Sequence, residues 1–184
     1  MTDQELLEQY RRAETRETGF RMIVRQFQKP IYYYIRRMVL DHDDADDITQ
    51  TTFIKAWKGL DGFRGESKLS TWLHTIAYHE AISFLDKKKR VAKVALDQVG
   101  AKLGHALQQD ELYQGDEIQQ RLQVAVASLP AKQKAVFIMK YYEEKKYEEI
   151  AEITGTSVGA LKASYHHAVQ KIEEHITGNA NTTP

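Results

Sequence analysis

The chain has 184 residues, no cysteine and a formal net charge of zero, with 26 basic residues against 26 acidic ones. That length allows one domain or two small ones, and the missing cysteine excludes disulfides, thiol nucleophiles and thiolate metal sites. No apolar run is long enough to span a membrane, and the polar stretch Met1 to Glu14 has no secretion-signal core, so a cytoplasmic protein is expected.

Leu6, Leu7, Tyr10 and Ala13 predict a first short amphipathic helix. A second is predicted from about Thr18 to Leu40. There Phe20, Ile23, Val24, Phe27, Ile31, Tyr34, Ile35, Met38 and Val39 recur at steps of three and four. Pro30 falls inside this pattern, so a bend or a break is expected near it. A third helix should run from Ala45 to about Gly59, capped by Asp43 or Asp44, with Ile48, Phe53, Ile54 and Trp57 on its apolar side. Gly59, Gly62 and Gly65 punctuate the following loop. Ser67 or Ser70 then opens a fourth helix toward Arg90, burying Trp72, Leu73, Ile76, Ala77, Ile82 and Leu85.

Residues 94–117 lose the pattern and carry Gly100, Gly104 and Gly115, which reads as a linker with room for one short helix. Order resumes near Ile118 with Leu122, Val126 and Leu129. Pro130 marks a boundary at or just before a helix start. Ala135, Val136, Ile138 and Met139 line the next helix, and Tyr147, Ile150, Ala151 and Ile153 make a short one. Thr154 to Ser157 form a turn, and Ser157 is a good N-cap for a helix that buries Val158, Leu161, Tyr165, Ala168, Val169 and Ile172. Residues 177–184 read as a loose tail. No strand pattern competes. The expected fold is all-α: two small helical domains, 1–93 and 118–176, joined by a flexible linker, the second a helix-turn-helix.

Charge is distributed unevenly. Residues 61–93 carry seven Lys or Arg against four Asp or Glu, a local basic patch in a neutral chain. Such a patch suits a DNA-binding factor that relies on a larger partner, because few phosphate contacts give weak binding alone. The acidic run Asp41, Asp43, Asp44, Asp46 and Asp47 lacks the glycine and terminal glutamate of a calcium loop. His166 and His167 are helix neighbours that point roughly 100° apart. No metal and no cofactor are expected. His74 with Glu80 and His166 with Glu173 are coincidental pairs, and no phosphate-binding glycine loop or nucleophile–base pair exists, so an enzyme is not expected.

Several segments together resemble the bacterial RNA polymerase sigma factors, specifically the small extracytoplasmic-function (ECF) group of the sigma-70 family. Asp44-Ala45-Asp46-Asp47-Ile48-Thr49-Gln50 resembles that family's acidic segment, and Phe53-Ile54-Lys55-Ala56-Trp57 continues the same helix. Phe63-Arg64-Gly65 followed by Leu69-Ser70-Thr71-Trp72-Leu73 resembles the entry to its promoter-melting helix. Tyr147-Glu148-Glu149-Ile150-Ala151 followed by Ser157-Val158-Gly159-Ala160-Leu161-Lys162 resembles its promoter-reading helix-turn-helix. Two positions depart from the family pattern: His79 stands where asparagine is usual, and Asp86 where a basic residue is.

The resemblance implies a transcription initiation factor that binds core RNA polymerase at the largest-subunit clamp and at the flap. It implies promoter DNA as second partner and makes an anti-sigma factor a plausible third. Asp44, Asp47, Gln50, Thr51 and Ile54 would grip the clamp; positions 47, 50, 51 and 54 share one helical side. Arg64, Lys68, Ser70, Thr71, Trp72, His74, Tyr78 and His79 would hold the melted minus-ten strand by stacking and edge hydrogen bonds, with Lys87, Lys88, Lys89 and Arg90 on its backbone. Thr156, Ser157, Gly159, Ala160, Lys162, Ala163, His166 and His167 would face the minus-thirty-five duplex. Trp72 fits core packing equally, and Lys87 to Arg90 could be an ordinary solvated helix end. Two rival readings stand beside this one. The first is a stand-alone helix-turn-helix regulator with an N-terminal sensing or dimerisation domain. The second is a sigma-like fold acting only through protein partners.

Overall fold

The computed structural model describes residues 1–92 and 115–178. Most of the predicted linker and all of the tail beyond Gly178 lie outside the described residues. The chain divides into two compact units, the first built on Met1–Ala81 and the second on most of the remaining chain. The described residues contain helices and no strand.

In the first unit, α1 (Asp3–Arg11) opens on a reciprocal cap: the Glu5 amide donates to Thr2 Oγ1 at 3.2 Å, and the Thr2 amide donates to Glu5 Oε2 at 2.8 Å. A single 3₁₀ turn, Ala13–Thr15, leads into α2 (Arg16–Val39). The break expected at Pro30 does not occur; α2 runs through it. Pro30 and Gln26 are both exposed, so the carbonyl that loses its helical donor faces water. Apolar residues on both sides of Pro30, among them Ile23, Ile31, Ile35 and Met38, are fully buried and hold both halves to one core.

Leu40 turns the chain with φ 69°, its amide still bonded to the Arg36 carbonyl at 2.9 Å. Next comes α3 (His42–Gly59). It starts earlier than expected, because Asp41 is its cap and accepts from the Asp44 amide at 2.9 Å. After a short turn at Leu60–Gly62, α4 (Leu69–Ala92) begins. Its first amide donates to Asp3 Oδ2 at 2.7 Å. The side-chain acceptor for this first amide is thus Asp3 of α1 rather than Ser67 or Ser70.

In the second unit, Asp116 caps α5 (Glu117–Ala127) through the Gln119 amide at 2.9 Å. Pro130 is the cap residue of α6 (Ala131–Phe137), which widens into a π turn over Ile138–Tyr142. The last two helices are α7 (Tyr147–Thr154) and α8 (Val158–Thr177). Both α5 and α6 pack against α8, around Ile138, Met139, Ile150, Leu161 and Ala168.

Candidate nucleic-acid and polymerase interfaces

On α3, Ala45, Ile48, Phe53 and Ala56 turn into the core. That leaves Asp47, Gln50 and Ile54 exposed along one helical line, with Asp44 and Thr51 half-buried beside them. Ile54, which the sequence put both on the apolar side of this helix and in the clamp-facing set, is 55% exposed. An ion pair from Lys55 to Glu80 ties α3 to α4.

Between α3 and α4, Phe63 is buried and packs on Trp72 with ring centroids 5.2 Å apart. Trp72 is half-buried. A Cβ on Gly59 would lie 3.3 Å from its ring, so one side of the indole rests on bare backbone. The same side chain also lines a cleft of about 290 Å³ with Gly62, Phe63, Arg64, Glu66 and Ser67. Trp72 therefore packs on Phe63 and also lines the cleft. Arg64, Lys68 and His79 are exposed and Ser70 is half-buried.

Thr71, His74 and Tyr78 do not join them. All three are buried, which corrects their placement on a DNA-facing surface. The His74 ring lies 4.6 Å from that of Tyr34 on α2, and the Thr71 carbonyl accepts from Thr75 Oγ1. At the far end of α4, Asp86 and Lys87 to Arg90 are all exposed.

In the second unit Gly155 takes φ 69° at the end of α7, a left-handed conformation that suits glycine. Ser157 then caps α8, its Oγ accepting from the Ala160 amide at 3.2 Å. Leu161, Ala168 and Ile172 turn inward. Thr156, Ser157, Gly159, Ala160, Lys162, Ala163, His166 and His167 are all exposed. Tyr165 packs between Phe137, stacked at 5.8 Å, and Tyr147, edge-on at 6.5 Å. Lys140 Nζ lies 4.7 Å and Lys162 Nζ 5.8 Å from the Tyr147 ring centre. This cation–aromatic cluster under the start of α8 was not expected. Tyr147 reads in sequence only as one more apolar position of a short helix.

The Sigma-70 region 2 family model matches residues 23–91, and the Sigma-70, region 4 model matches residues 119–172. The RNA polymerase sigma factor YlaC of Bacillus subtilis is 31% identical, over 84% of this chain and 90% of its own length. The ECF RNA polymerase sigma-E factor of Salmonella typhimurium is 28% identical, over 96% and 95%. The chain belongs to the sigma-70 family of RNA polymerase sigma factors, in its ECF group.

As an ECF sigma factor it is a transcription initiation factor, a polymerase-binding regulator rather than an enzyme, and it acts on core RNA polymerase and promoter DNA through these two regions. The fold agrees. The sigma factor RpoE in complex with the anti-sigma factor NepR from Bartonella quintana superposes with a TM-score of 0.67 at 22% identity, covering 89% of this chain and 98% of that one. Within the sigma factor, the region 2 match takes in α3, the loop with its cleft, and nearly all of α4. The region 4 match takes in α5 to α8. No helix among the described residues is long and apolar enough to cross a membrane.

Proposed function

We propose a division of labour among these surfaces. Asp47, Gln50 and Ile54, flanked by Asp44 and Thr51, form the contact with the polymerase clamp. The loop Phe63–Lys68 and the start of α4 hold the melted minus-ten strand. Lys87 to Arg90 lie along its phosphates, and the start of α8 reads the minus-thirty-five duplex.

The observation that carries this reading is the cleft beside Trp72. An unstacked base needs an aromatic face and nearby donors. Trp72, already braced by Phe63, offers the face, while Arg64 and Ser67 offer the donors. With Thr71, His74 and Tyr78 withdrawn into the core, Arg64, Lys68, Ser70, Trp72 and His79 remain as the minus-ten set. On α8, Lys162 is the one cation among the eight residues assigned to the duplex, so base contact there leans on small side chains and close backbone approach.

An anti-sigma factor is the proposed third partner. The RpoE neighbour is in complex with one, and an outward isoleucine on α3 is the sort of anchor a protein partner buries. Such a partner would compete with core polymerase.

Run-off transcription with core polymerase, combined with permanganate footprinting, tests the assignment. Replacing Lys87, Lys88 and Lys89 by alanine should slow promoter opening and flatten its salt dependence. Asp47→Ala with Gln50→Ala should weaken core binding while leaving the helical circular dichroism intact. Wild-type opening across a salt series would return the basic run to plain solvated surface, and unchanged core affinity would remove α3 from the clamp contact.

A further inference from the structure

The loop that carries Phe63–Lys68 is anchored at both ends by the N-terminal segment, which lies outside the residues matched by the region 2 model. At the near end stands Asp61. Its Oδ1 accepts from the Tyr10 hydroxyl at 3.0 Å and its Oδ2 from Arg16 Nη2 at 2.6 Å; Arg16 also donates to the Tyr10 hydroxyl at 2.6 Å. At the far end, the Leu69 amide donates to Asp3 Oδ2 at 2.7 Å. Asp3 and Tyr10 sit at opposite ends of α1, so one short helix spans the loop.

That helix is itself fixed. A Cβ on Gly19 would come within 2.4 Å of the Tyr10 backbone nitrogen, so α1 and α2 touch backbone to backbone. Thr15 Oγ1 donates to the Gln9 carbonyl at 2.8 Å, and the Arg16 guanidinium lies 4.5 Å from the Tyr10 ring centre and 5.3 Å from that of Trp57. The loop between the pins is held differently. Gly65 takes φ 76°, and a cleft of about 510 Å³ opens between α1 and the loop, lined by Asp3, Leu7 and Arg11 on one side and Arg64, Gly65 and Lys68 on the other. Phe63 is packed on Trp72, but beyond it, with open space behind, residues 64–68 take their position from the loop's ends more than from packing.

We propose that α1 is a brace that sets the promoter-reading loop, with Asp3, Tyr10 and Arg16 as positioning residues for minus-ten recognition. This inference rests on the reading of Phe63–Trp72 as the minus-ten surface. Asp3 holds the start of α4, and so the bearing of Ser70 and Trp72. Tyr10 and Arg16 hold Asp61, and so the point where the chain enters the cleft beside Arg64.

The test uses the full-length chain as holoenzyme, on promoters carrying single-base changes in the minus-ten or the minus-thirty-five element. Asp3→Ala and Tyr10→Phe should each slow promoter opening by about five-fold, the effect of losing one helix cap or one buried hydrogen bond. Both should also reorder the minus-ten base preference, leaving core affinity and minus-thirty-five preference unchanged. Asp3→Asn keeps an oxygen that accepts from Leu69 and should restore most of the wild-type behaviour.

A merely structural role would instead lower the melting temperature with the minus-ten ranking intact; that result overturns the brace. Tyr10→Phe keeps the ring and removes only the hydroxyl, so it reports even where Asp3→Ala fails to fold. Arg64→Ala separates the two levels. If it alters minus-ten preference while the α1 variants do not, the brace alone fails. If Arg64→Ala also leaves the preference untouched, the reading beneath it fails.

Discussion

The helices proposed to meet the promoter, α4 and α8, are built differently. Every residue of α8 and its preceding turn that the family resemblance assigned to the duplex is exposed. On α4 three of the polar candidates, Thr71, His74 and Tyr78, lie inside. The helix α8 buries a narrow stripe, Leu161, Ala168 and Ile172, and leaves the rest to solvent. The first half of α4 buries Leu69, Thr71, Leu73, His74, Ala77, Tyr78 and Ala81, which together wrap far around its circumference. Polarity forecasts exposure on a helix with one covered face. It fails on a helix enclosed from several sides, where polar side chains become part of the packing. The surface proposed to read DNA in the second unit is therefore one exposed helical face, and that proposed in the first is a loop and a half-covered indole.

The largest expected effect comes from Gly19. Gly19→Leu drives a side chain into the Tyr10 backbone and should destabilise the first unit by about 3 kcal/mol, because neither helix backbone can yield. Thermal unfolding should show this loss while the helix-turn-helix keeps its own transition. A wild-type melting curve would mean that α1 and α2 are less tightly joined than the geometry requires.

The contrast within α4 is next. His74→Ala should cost roughly 2–3 kcal/mol through lost packing on Tyr34, whereas His79→Ala, at an exposed position, should change stability by less than about 0.5 kcal/mol. Equal melting temperatures would erase the distinction between buried and exposed polar positions on this helix.

In the second unit Lys134 is buried, and desolvation holds its amine down to about 8, against an ordinary value of 10.5. Below pH 8 both states hold the proton, so this contribution is constant. Between about 8 and 10.5 the unfolded chain binds the extra proton, so stability should rise with pH across that window. Lys134→Met should stabilise the unit by about 1–2 kcal/mol at neutral pH and abolish the rise. Chemical denaturation at pH 7 and pH 10 measures both.

The smallest effect is at Lys162. Lys162→Ala should cost about 1 kcal/mol in minus-thirty-five affinity, concentrated at one or two base pairs if the amine reads a base edge, and uniform with a shallower salt slope if it touches phosphate. Binding of the full-length holoenzyme to single-base variants tells these apart. Unchanged affinity would remove Lys162 from the contact surface and shift the weight to Ser157 and His166.

By itself the sequence determined the helical class, the two-region order, and the whole outward face of α8. These rest on local rules: apolar spacing, a turn over Thr154 to Ser157 and a serine cap at Ser157. The acidic face of α3 was legible for the same reason, although Ile54 fell in both the apolar set and the outward set, because hydrophobicity alone does not say which side of a helix has a partner. What only the tertiary structure decided depends on residues far apart in the chain. Pro30 is tolerated because both halves of α2 share one core. Asp3 reaches the start of α4 across sixty-six positions, and Tyr10 with Arg16 pins Asp61. Thr71, His74 and Tyr78 are buried because neighbouring helices cover faces that α4's own pattern leaves polar. A long-range hydrogen bond has no periodicity to betray it; it exists only once the backbone has brought its two ends together.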